Sequence, residues 1–315
     1  MTTKRLIYLY SDSSFTPWKE NIFARTVANF LASTPEEYYP YVTHFVGFTS
    51  EFANFLKQFD IVFNVCYGFG DEGQHDIVRW LEDNGIKHTA SNYQSQILAK
   101  DKLHLPEVCA KVGVATPAII PLSEVSTSTF TRFIAKPRFG SLHQNMLVFD
   151  KENIPYQQLL EKDEMIIQPY LSGREFTVGV IPNEEASDYI CLNPLEIRPD
   201  DEREVYIAGQ QYGRTEKVLY HDLDAETCQA MQEMVLRVHH ALGLRGMSRT
   251  DVRVSDGKIY ILDINTMPNL DSNSFLPFIA QHQGISLQEI FRRILLRLEK
   301  EEQVRERGLV VSDFM

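Results

Sequence analysis

Strand-like and helix-like stretches alternate through the first hundred residues of the chain. The strands are expected at residues 6–10, 41–45 and 61–65, and the helices at 18–31, 52–57 and 74–84. Repeated β–α units are typical of a parallel sheet that is covered by helices on both faces. Ligands of such sheets bind at the carboxyl ends of the strands. We therefore expect an α/β protein with a binding edge after its first and third strands.

The pattern changes after residue 100, which predicts a division into three domains. Their expected bounds are residues 1–100, 101–182 and 183–315. In the second domain we expect helices at 101–112 and 154–160 and strands at 131–136, 146–149, 165–168 and 175–181. In the third we expect a helix at 225–242, a hairpin at 247–265 and a helix at 286–301. The charge-rich segment 199–212 is predicted to be a mobile loop.

The predicted hairpin carries acidic residues where apolar ones are expected. Asp251 and Asp263 interrupt its β-rich strands, and Asn265 lies close by. Burying carboxylates in a sheet is expensive unless something compensates them. Oxygen ligands at one end of a hairpin suit Mg²⁺, which binds through a few carboxylates and substrate phosphates. The alternative is that the two aspartates pair with Arg249 and Arg253.

A metal site of this kind also constrains the register of the hairpin. The two aspartates reach one metal cluster only if they project from the same face, and side chains alternate along a strand. A two-residue turn at 256–257 would send them to opposite faces. We therefore predict a loop of odd length, residues 255–257, which places Arg249 opposite Asp263.

Two lysines lie at positions that favour anion binding. Lys136 ends an apolar strand just before Pro137 and a loop that contains Gly140, and Lys102 stands at the start of a predicted helix. A lysine at the end of an apolar strand is rarely buried without an anion to meet it. Phosphate oxygens would serve, although the chain has no G-x-x-x-x-G-K-[ST] loop. Ordinary surface lysines are the alternative.

A third segment, MIIQPYLSGREFTVGVI, joins two predicted strands. Exposed backbone between apolar strands can hydrogen-bond the edge of an adenine ring, and Glu175 can accept hydrogen bonds from ribose hydroxyls. Taken alone, the segment also fits an ordinary connecting loop.

Taken together and in order, these segments resemble the ATP-grasp superfamily and, within it, the D-alanine–D-alanine ligase-like carboxylate–amine ligases. The resemblance is carried by residues 95–102 (SQILAKDK), 133–141 (FIAKPRFGS), 167–178 (IQPYLSGREFTV) and 248–277. It implies an ATP-grasp fold behind the N-terminal parallel-sheet domain. It also implies ATP- and Mg²⁺-dependent joining of small amino-acid-like substrates through an acyl phosphate, with release of ADP.

The resemblance implies a role for each matching residue. Those expected at ATP are Lys102, Lys136, Ser141, Gln168, Pro169, Tyr170, Leu171 and Glu175. Those expected to hold two Mg²⁺ ions, for which Mn²⁺ can substitute, are Asp251, Asp263 and Asn265. Arg249 would lie beside the reacting carbonyl, and Ser274 would meet the carboxylate of the amine-bearing substrate.

The first-substrate pocket departs from the family's pattern. The stretch H-G-x-x-G-E-D-G begins here with Tyr67 in place of histidine, and the amino-terminal motif with its ammonium-binding glutamate is missing. The proline–glycine step after the metal asparagine is a proline–asparagine step. We therefore expect intact ATP chemistry on a substrate pair other than two D-alanines. The candidate substrate-binding residues are Asp12, Glu20, Tyr67, Asn269 and Ser274.

Charge and composition narrow the partners. The chain has 43 acidic and 31 basic residues, a net charge of -12, which argues against nucleic acid and anionic membrane surfaces. No apolar run approaches a membrane span, and we expect a cytoplasmic protein. A homodimer is compatible with the sequence.

Two alternatives from other functional classes stay open. One is a noncatalytic nucleotide-binding module that keeps the fold, and the other is an ATP-grasp kinase that stops at a phosphorylated product. The intact set of Arg249, Asp251, Asp263 and Asn265 argues against the first.

Overall fold

The computed structural model describes residues 3–11, 27–67, 73–139, 146–162, 164–199, 215–219, 222–272 and 274–306. The strands are β1 (Lys4–Tyr10), β2 (Tyr38–His44), β3 (Ile61–Asn64), β4 (Arg132–Pro137), β5 (Leu147–Asp150), β6 (Met165–Pro169), β7 (Arg174–Pro182), β8 (Tyr189–Cys191), β9 (Leu195–Pro199), β10 (Thr215–Val218), β11 (Ser248–Ser255) and β12 (Lys258–Asn265). The helices are α1 (Ser50–Leu56), α2 (Gln74–Asp83), α3 (Tyr93–Lys100), α4 (Leu105–Lys111), α5 (Tyr156–Glu161), α6 (Ala225–Ala241), α7 (Phe275–His282) and α8 (Leu287–Glu306). Residues 27–32 are also helical.

The N-terminal sheet has the order β2-β1-β3, and both of its pairings are parallel. The parallel sheet predicted from the β–α alternation is therefore confirmed. Ile7 and Leu9 on one face of β1 pack with apolar residues of α1 and α2. Leu6 and Tyr8 on the other face belong to a core that includes Phe291 of α8. The first sheet therefore shares a core with the end of the chain.

Two further sheets follow. An antiparallel sheet of order β5-β4-β6 buries Phe133, Ala135 and Ile167. The larger sheet has the order β10-β9-β7-β11-β12, with β8 on β7. One face of this sheet presents Phe176 and Val252 to α6. Because side chains alternate along a strand, the intervening residues of β7 and β11 project from the opposite face, which is where the polar residues lie. The division into three domains predicted from the sequence stays a prediction.

The helix predicted at residues 101–112 begins later than expected. Helix α3 ends at Lys100, Asp101 is extended (ψ 102°), and α4 begins only at Leu105. The Asp101 side chain accepts a hydrogen bond from the backbone N–H of Leu103 at 2.9 Å, which stabilises a turn in place of a continuous helix. Lys102 therefore lies in a turn, and the prediction that it starts a helix is wrong. Most of the predicted loop at 199–212 lies outside the described residues.

The hairpin turn also differs from the prediction. Ser255 pairs with Lys258, so the loop has two residues, Asp256 (φ +49°) and Gly257 (φ +71°), as in a type I′ turn. The predicted loop of odd length is therefore wrong, and so is the pairing of Arg249 with Asp263. The register instead shifts between Asp251 and Val252, where β12 carries one extra residue, Leu262.

Candidate active site

The bulge brings the two hairpin aspartates to one face. Asp251 pairs directly with Asp263, and Arg249 pairs with Asn265 one step further along. Directly paired residues of an antiparallel ladder project on the same side of the sheet. Two carboxylates, one amide and one guanidinium therefore share the face opposite α6. The extra residue Leu262 in β12 therefore brings the two aspartates to one face, as the predicted loop of odd length would have done.

Asp251 is fixed by two donors. The hydroxyl of Thr177 in β7 donates to Oδ1 at 2.7 Å, and Nη2 of Arg249 donates to Oδ2 at 3.1 Å. Of the alternative in which the two aspartates pair with Arg249 and Arg253, the structure shows the pair of Asp251 with Arg249. Arg253 pairs instead with Glu175, which lies opposite it on β7.

The bulge also contacts the end of β4. Nζ of Lys136 donates to the backbone carbonyl of Leu262, the extra residue of β12, at 3.3 Å. Burial lowers the pKa of Lys136 to about 8, with Asp263 opposing the shift and Lys102 adding to it. The ammonium therefore lies between the acidic pair and a second cation, where an anion such as a phosphoryl group would relieve its desolvation.

A buried ion pair holds Lys102 close to this cation. Nη2 and Nε of Arg138 donate to the carboxylate of Asp101 at 2.6 and 2.8 Å, and Asp101 is 1% exposed. Burial alone would raise the pKa of Asp101, but the hydrogen bonds from Arg138 and Leu103 lower it to about 2. The carbonyl of Arg138 in turn accepts from Nζ of Lys102 at 3.4 Å. Lys102 is thus bonded to the backbone two residues after Lys136.

The expected nucleotide segment links the two antiparallel sheets. The Gln168 side chain is buried and donates to the carbonyl of Pro117 at 3.2 Å, and Pro169 is buried in β6. The N–H of Tyr170 donates to the carbonyl of Arg132 at 2.9 Å, and the carbonyl of Leu171 accepts from Arg253 at 3.1 Å. The side chain of Gln168 is therefore committed to the fold, and recognition of a base would fall to the backbone.

Glu175 lies at the end of this segment and is 9% exposed. Burial raises its pKa to about 7, while Arg253 opposes the shift and Asp251 adds to it. A carboxylate in this environment gains from a hydrogen-bond donor such as a ribose hydroxyl.

Ser274 lies directly before α7, and its N–H donates to the carbonyl of Asp271 at 2.8 Å. Its side chain makes no capping hydrogen bond. Phe275 follows Ser274 in the chain, and the centre of its ring lies 5.3 Å from the Arg249 guanidinium. This places the predicted oxyanion and substrate-carboxylate residues side by side.

Lys217 of β10 lies beside the candidate site, a position that the sequence did not indicate. Its Nζ lies 5.5 Å from the ring centre of Phe275 and 4.7 Å from that of Phe278. Burial lowers the pKa of Lys217, and Asp271 opposes the shift. No local pattern around residue 217 predicts these contacts, because the two rings belong to α7, about sixty residues later in the chain.

The candidate first-substrate residues are placed only in part. The hydroxyl of Tyr67 donates to the carbonyl of Met267 at 2.9 Å, which links the end of the N-terminal sheet to the loop after β12. Asn269 in that loop is exposed and accepts from the N–H of Asp271 at 2.8 Å. The remaining predicted positions, Asp12, Glu20 and Ser141, lie outside the described residues.

The chemistry of the donor set fits a hard divalent cation. Asp251 and Asp263 are paired acidic residues, and Asn265 adds an amide oxygen that now accepts from the N–H of Met267 at 2.9 Å. In the described part of the chain, no three His, Cys, Asp or Glu side chains cluster at one point. A ligand set that includes an amide and leaves room for phosphate oxygens is the type that Mg²⁺ accepts.

The family of the chain follows from comparison with known proteins. The D-alanine–D-alanine ligase of Thermotoga sp. (strain RQ2) is 32% identical over 258 residues, which are 79% of this chain and 83% of that enzyme. The chain belongs to the D-alanine–D-alanine ligase family. The D-alanine–D-alanine ligase of Fervidobacterium nodosum is 30% identical over 263 residues, which are 76% of this chain and 82% of that enzyme. The family model described as D-ala D-ala ligase C-terminus matches residues 152–296.

Solved structures of the D-alanine–D-alanine ligase family share the fold. The VanG D-Ala:D-Ser ligase from Enterococcus faecalis superposes with a TM-score of 0.76 at 16% identity, covering 94% of this chain and all of that chain. The D-alanine–D-alanine ligase from Bacillus anthracis, solved with ATP, gives 0.74 at 19% identity, covering 95% of this chain and 98% of that chain. The predicted ATP-grasp α/β fold is therefore confirmed.

Family membership also decides the class of reaction. The chain is an ATP-dependent, ADP-forming carboxylate–amine ligase, as the sequence predicts, and the nucleotide-binding module and the kinase are the less supported alternatives. Among the described helices, none is both long enough and apolar enough to cross a membrane.

Proposed function

We propose that the enzyme joins two amino-acid-like substrates in a Mg²⁺-dependent reaction at the face shared by β11 and β12. The observation that carries the proposal is the convergence of Asp251, Asp263 and Lys136 on the Leu262 bulge. In the proposed reaction a substrate carboxylate attacks the γ-phosphorus of ATP, ADP leaves, and an amine then displaces phosphate from the acyl phosphate.

The proposed metal ligands are Asp251, Asp263 and Asn265, with Mn²⁺ as a substitute for Mg²⁺. When bound, the ions offset negative charge on the transferring phosphoryl group. Lys136 and Lys102 would hold phosphate oxygens, because two cations that lie near each other favour the binding of an anion. ATP would lie along the linker between β6 and β7, with Glu175 at its ribose.

Arg249 would stabilise the oxyanion that forms when the amine attacks. Its guanidinium is held by Asp251 and by the ring of Phe275, which fixes its orientation. Ser274 and Lys217 flank the same ring and would meet the carboxylate of the amine-bearing substrate. The amine-bearing substrate is therefore proposed to be an amino acid.

The carboxylate-bearing substrate is proposed to differ from the D-alanine named for the two bacterial relatives. Tyr67 replaces the histidine of the family's pattern, and its hydroxyl is committed to the carbonyl of Met267. A tyrosine bonded to backbone gives the pocket a different shape and a different set of donors from an imidazole.

A screen of ADP release across pairs of amino acids and small carboxylates tests the proposal. We expect Mg²⁺-dependent ADP release with at least one pair, and little with two D-alanines. Hydroxylamine in place of the amine should then yield an acyl hydroxamate. ADP release with no hydroxamate and no amide product would contradict the ligase reaction, and full activity with two D-alanines would contradict the substrate proposal.

Two finer expectations stay predictions. The cytoplasm is the proposed location, because it supplies ATP and free amino acids. The homodimer compatible with the sequence is to be tested by sedimentation velocity, in which a single species at the monomer mass would contradict it.

A further inference from the structure

Arg253 is a buried cation outside the reacting groups. It lies on β11 and is 5% exposed, opposite Glu175 of β7 on one side and Tyr260 of β12 on the other. A guanidinium this deep in a sheet is costly unless its donors are satisfied. The contacts that satisfy it therefore indicate what it does.

Within the described residues, all of the hydrogen-bond acceptors of Arg253 lie in the segment 171–175. Nη1 of Arg253 donates to the carbonyl of Leu171 at 3.1 Å and, at the limit of hydrogen-bond distance, to that of Gly173 at 3.5 Å. Nη2 donates to Oε2 of Glu175. Leu171 and Glu175 are two of the residues proposed to contact the nucleotide.

The same stretch is held at its other end and along its length. The Arg132 guanidinium lies 4.7 Å from the ring centre of Tyr170, whose N–H donates to the Arg132 carbonyl. Gly173 has φ +125°, and a Cβ there would lie 2.1 Å from the carbonyl oxygen of Val254. The linker between β6 and β7 therefore packs closely against β11, and Arg253 donates hydrogen bonds to the carbonyls of this linker.

We propose that Arg253 is a positioning residue for nucleotide recognition, which orients the Glu175 carboxylate and the Leu171 backbone toward ATP. Within the described residues Arg253 occupies Oε2 of Glu175, and Oε1 accepts from none of them. One oxygen is therefore held while the other is left for a ribose hydroxyl. The inference rests on the proposed function, in which Glu175 meets the ribose.

A purely structural role would also explain a buried arginine, so the test must separate the two. Comparing ATP with 2′,3′-dideoxy-ATP isolates the ribose contact, because the second nucleotide lacks both hydroxyls. Dissociation constants for both nucleotides are measured by calorimetry for the wild type, Glu175→Gln, Arg253→Met, the double variant and Arg253→Lys. Thermal unfolding of each variant is measured in parallel.

We expect the wild type to prefer ATP about ten- to a hundredfold, the range for hydrogen bonds to a charged group. Glu175→Gln and Arg253→Met should each lose most of this preference, and the double variant should lose little more, because the two residues act as a unit. Arg253→Lys should recover part of it. The matched control is Arg174→Met, since Arg174 projects from the other face to Glu196 and should leave the preference unchanged.

Two outcomes would overturn the inference in distinguishable ways. If Arg253→Met melts at a lower temperature but keeps the wild-type preference while Glu175→Gln loses it, Arg253 is structural and the proposed function stands. If the wild type binds neither nucleotide, or if Glu175→Gln keeps the full preference, the nucleotide assignment itself fails and the inference falls with it.

Discussion

The pKa of Lys136 depends on its position where three parts of the fold meet. Lys136 is the second-to-last residue of β4, donates to the bulge of β12 and lies near Lys102 of the α3–α4 turn. In water its ammonium would be fully solvated, whereas here burial lowers the pKa to about 8. An ammonium that is desolvated but still protonated at neutral pH is well suited to bind phosphate.

Lys136→Ala should therefore weaken ATP binding by about 1.5 to 3 kcal/mol, the range for a hydrogen bond to a charged group, or roughly ten- to a hundredfold. Calorimetric titration with ATP and Mg²⁺ measures this directly. Lys258→Ala, which removes an exposed lysine of the hairpin turn, is the control. Equal dissociation constants for wild type and Lys136→Ala would contradict the assignment of Lys136 to the phosphates of ATP.

A second residue whose charge is set by its surroundings is His239. It is 1% exposed on α6, and its Nδ1 lies 2.8 Å from the Ser248 hydroxyl. Burial lowers its pKa to about 3 from an ordinary value near 6.5. The unfolded chain therefore binds this proton more tightly than the folded one, and stability is lost as pH falls through that window.

Replacing this histidine should flatten the acid dependence. His239→Gln is expected to lower stability at neutral pH and to reduce the slope between about pH 6 and 4 by up to about 1.4 kcal/mol per pH unit. Urea unfolding at a series of pH values gives the slope. If His239→Gln keeps the wild-type slope, His239 is not titrating on unfolding.

At the scale of elements, the β11–β12 hairpin shows what the sequence predicted and where it failed. The strands, the turn position and the need for Asp251 and Asp263 to share a face all follow from alternation and Asp-Gly chemistry. The position of the extra residue, Leu262, does not follow from these patterns. It depends on the Lys136 side chain, which bonds the Leu262 carbonyl, and on Ala115, whose carbonyl accepts from the N–H of Ile261 at 3.0 Å. Such contacts come from distant parts of the chain.

The turn itself makes a prediction about stability. Gly257 has φ +71°, with open space where a Cβ would lie, so Gly257→Ala meets backbone strain without a clash. We expect a loss of about 1 kcal/mol in the free energy of unfolding, with ligase activity retained. Asp256→Asn should be neutral or slightly stabilising, because asparagine tolerates positive φ in this turn type. Urea unfolding of both variants checks this, and an unaffected Gly257→Ala would contradict the turn geometry.

At the scale of the whole molecule, the first sheet and the last helix share one core. Phe291 of α8 is fully buried, and its ring centre lies 4.6 Å from that of Phe63 and 5.8 Å from that of Tyr8. The sequence predicted both elements but could not pair them, since more than two hundred residues separate them. A separation of about sixty residues between Lys217 and the rings of α7 likewise hid Lys217 from sequence reasoning.

Removing that ring should therefore destabilise both ends of the molecule together. Phe291→Ala is expected to cost about 3 to 5 kcal/mol. Both tryptophans, Trp18 and Trp80, fall in the first hundred residues, so fluorescence reports on that part and far-UV circular dichroism on the whole. Both probes should shift equally in urea, whereas Phe130→Ala at an exposed position should shift neither. A shift of the dichroism alone would show that the first sheet unfolds independently.

The central claim is that the hairpin face supports acyl phosphate chemistry, and oxygen transfer tests it most directly. With a carboxylate substrate labelled with oxygen-18, the acyl phosphate route moves one carboxylate oxygen into inorganic phosphate when the amine attacks. We predict one label per phosphate in the wild type, seen as an isotope shift in the phosphorus NMR spectrum. Asp263→Asn should be folded but give no ADP and no labelled phosphate. Product formation with unlabelled phosphate, or undiminished turnover by Asp263→Asn, would contradict the account.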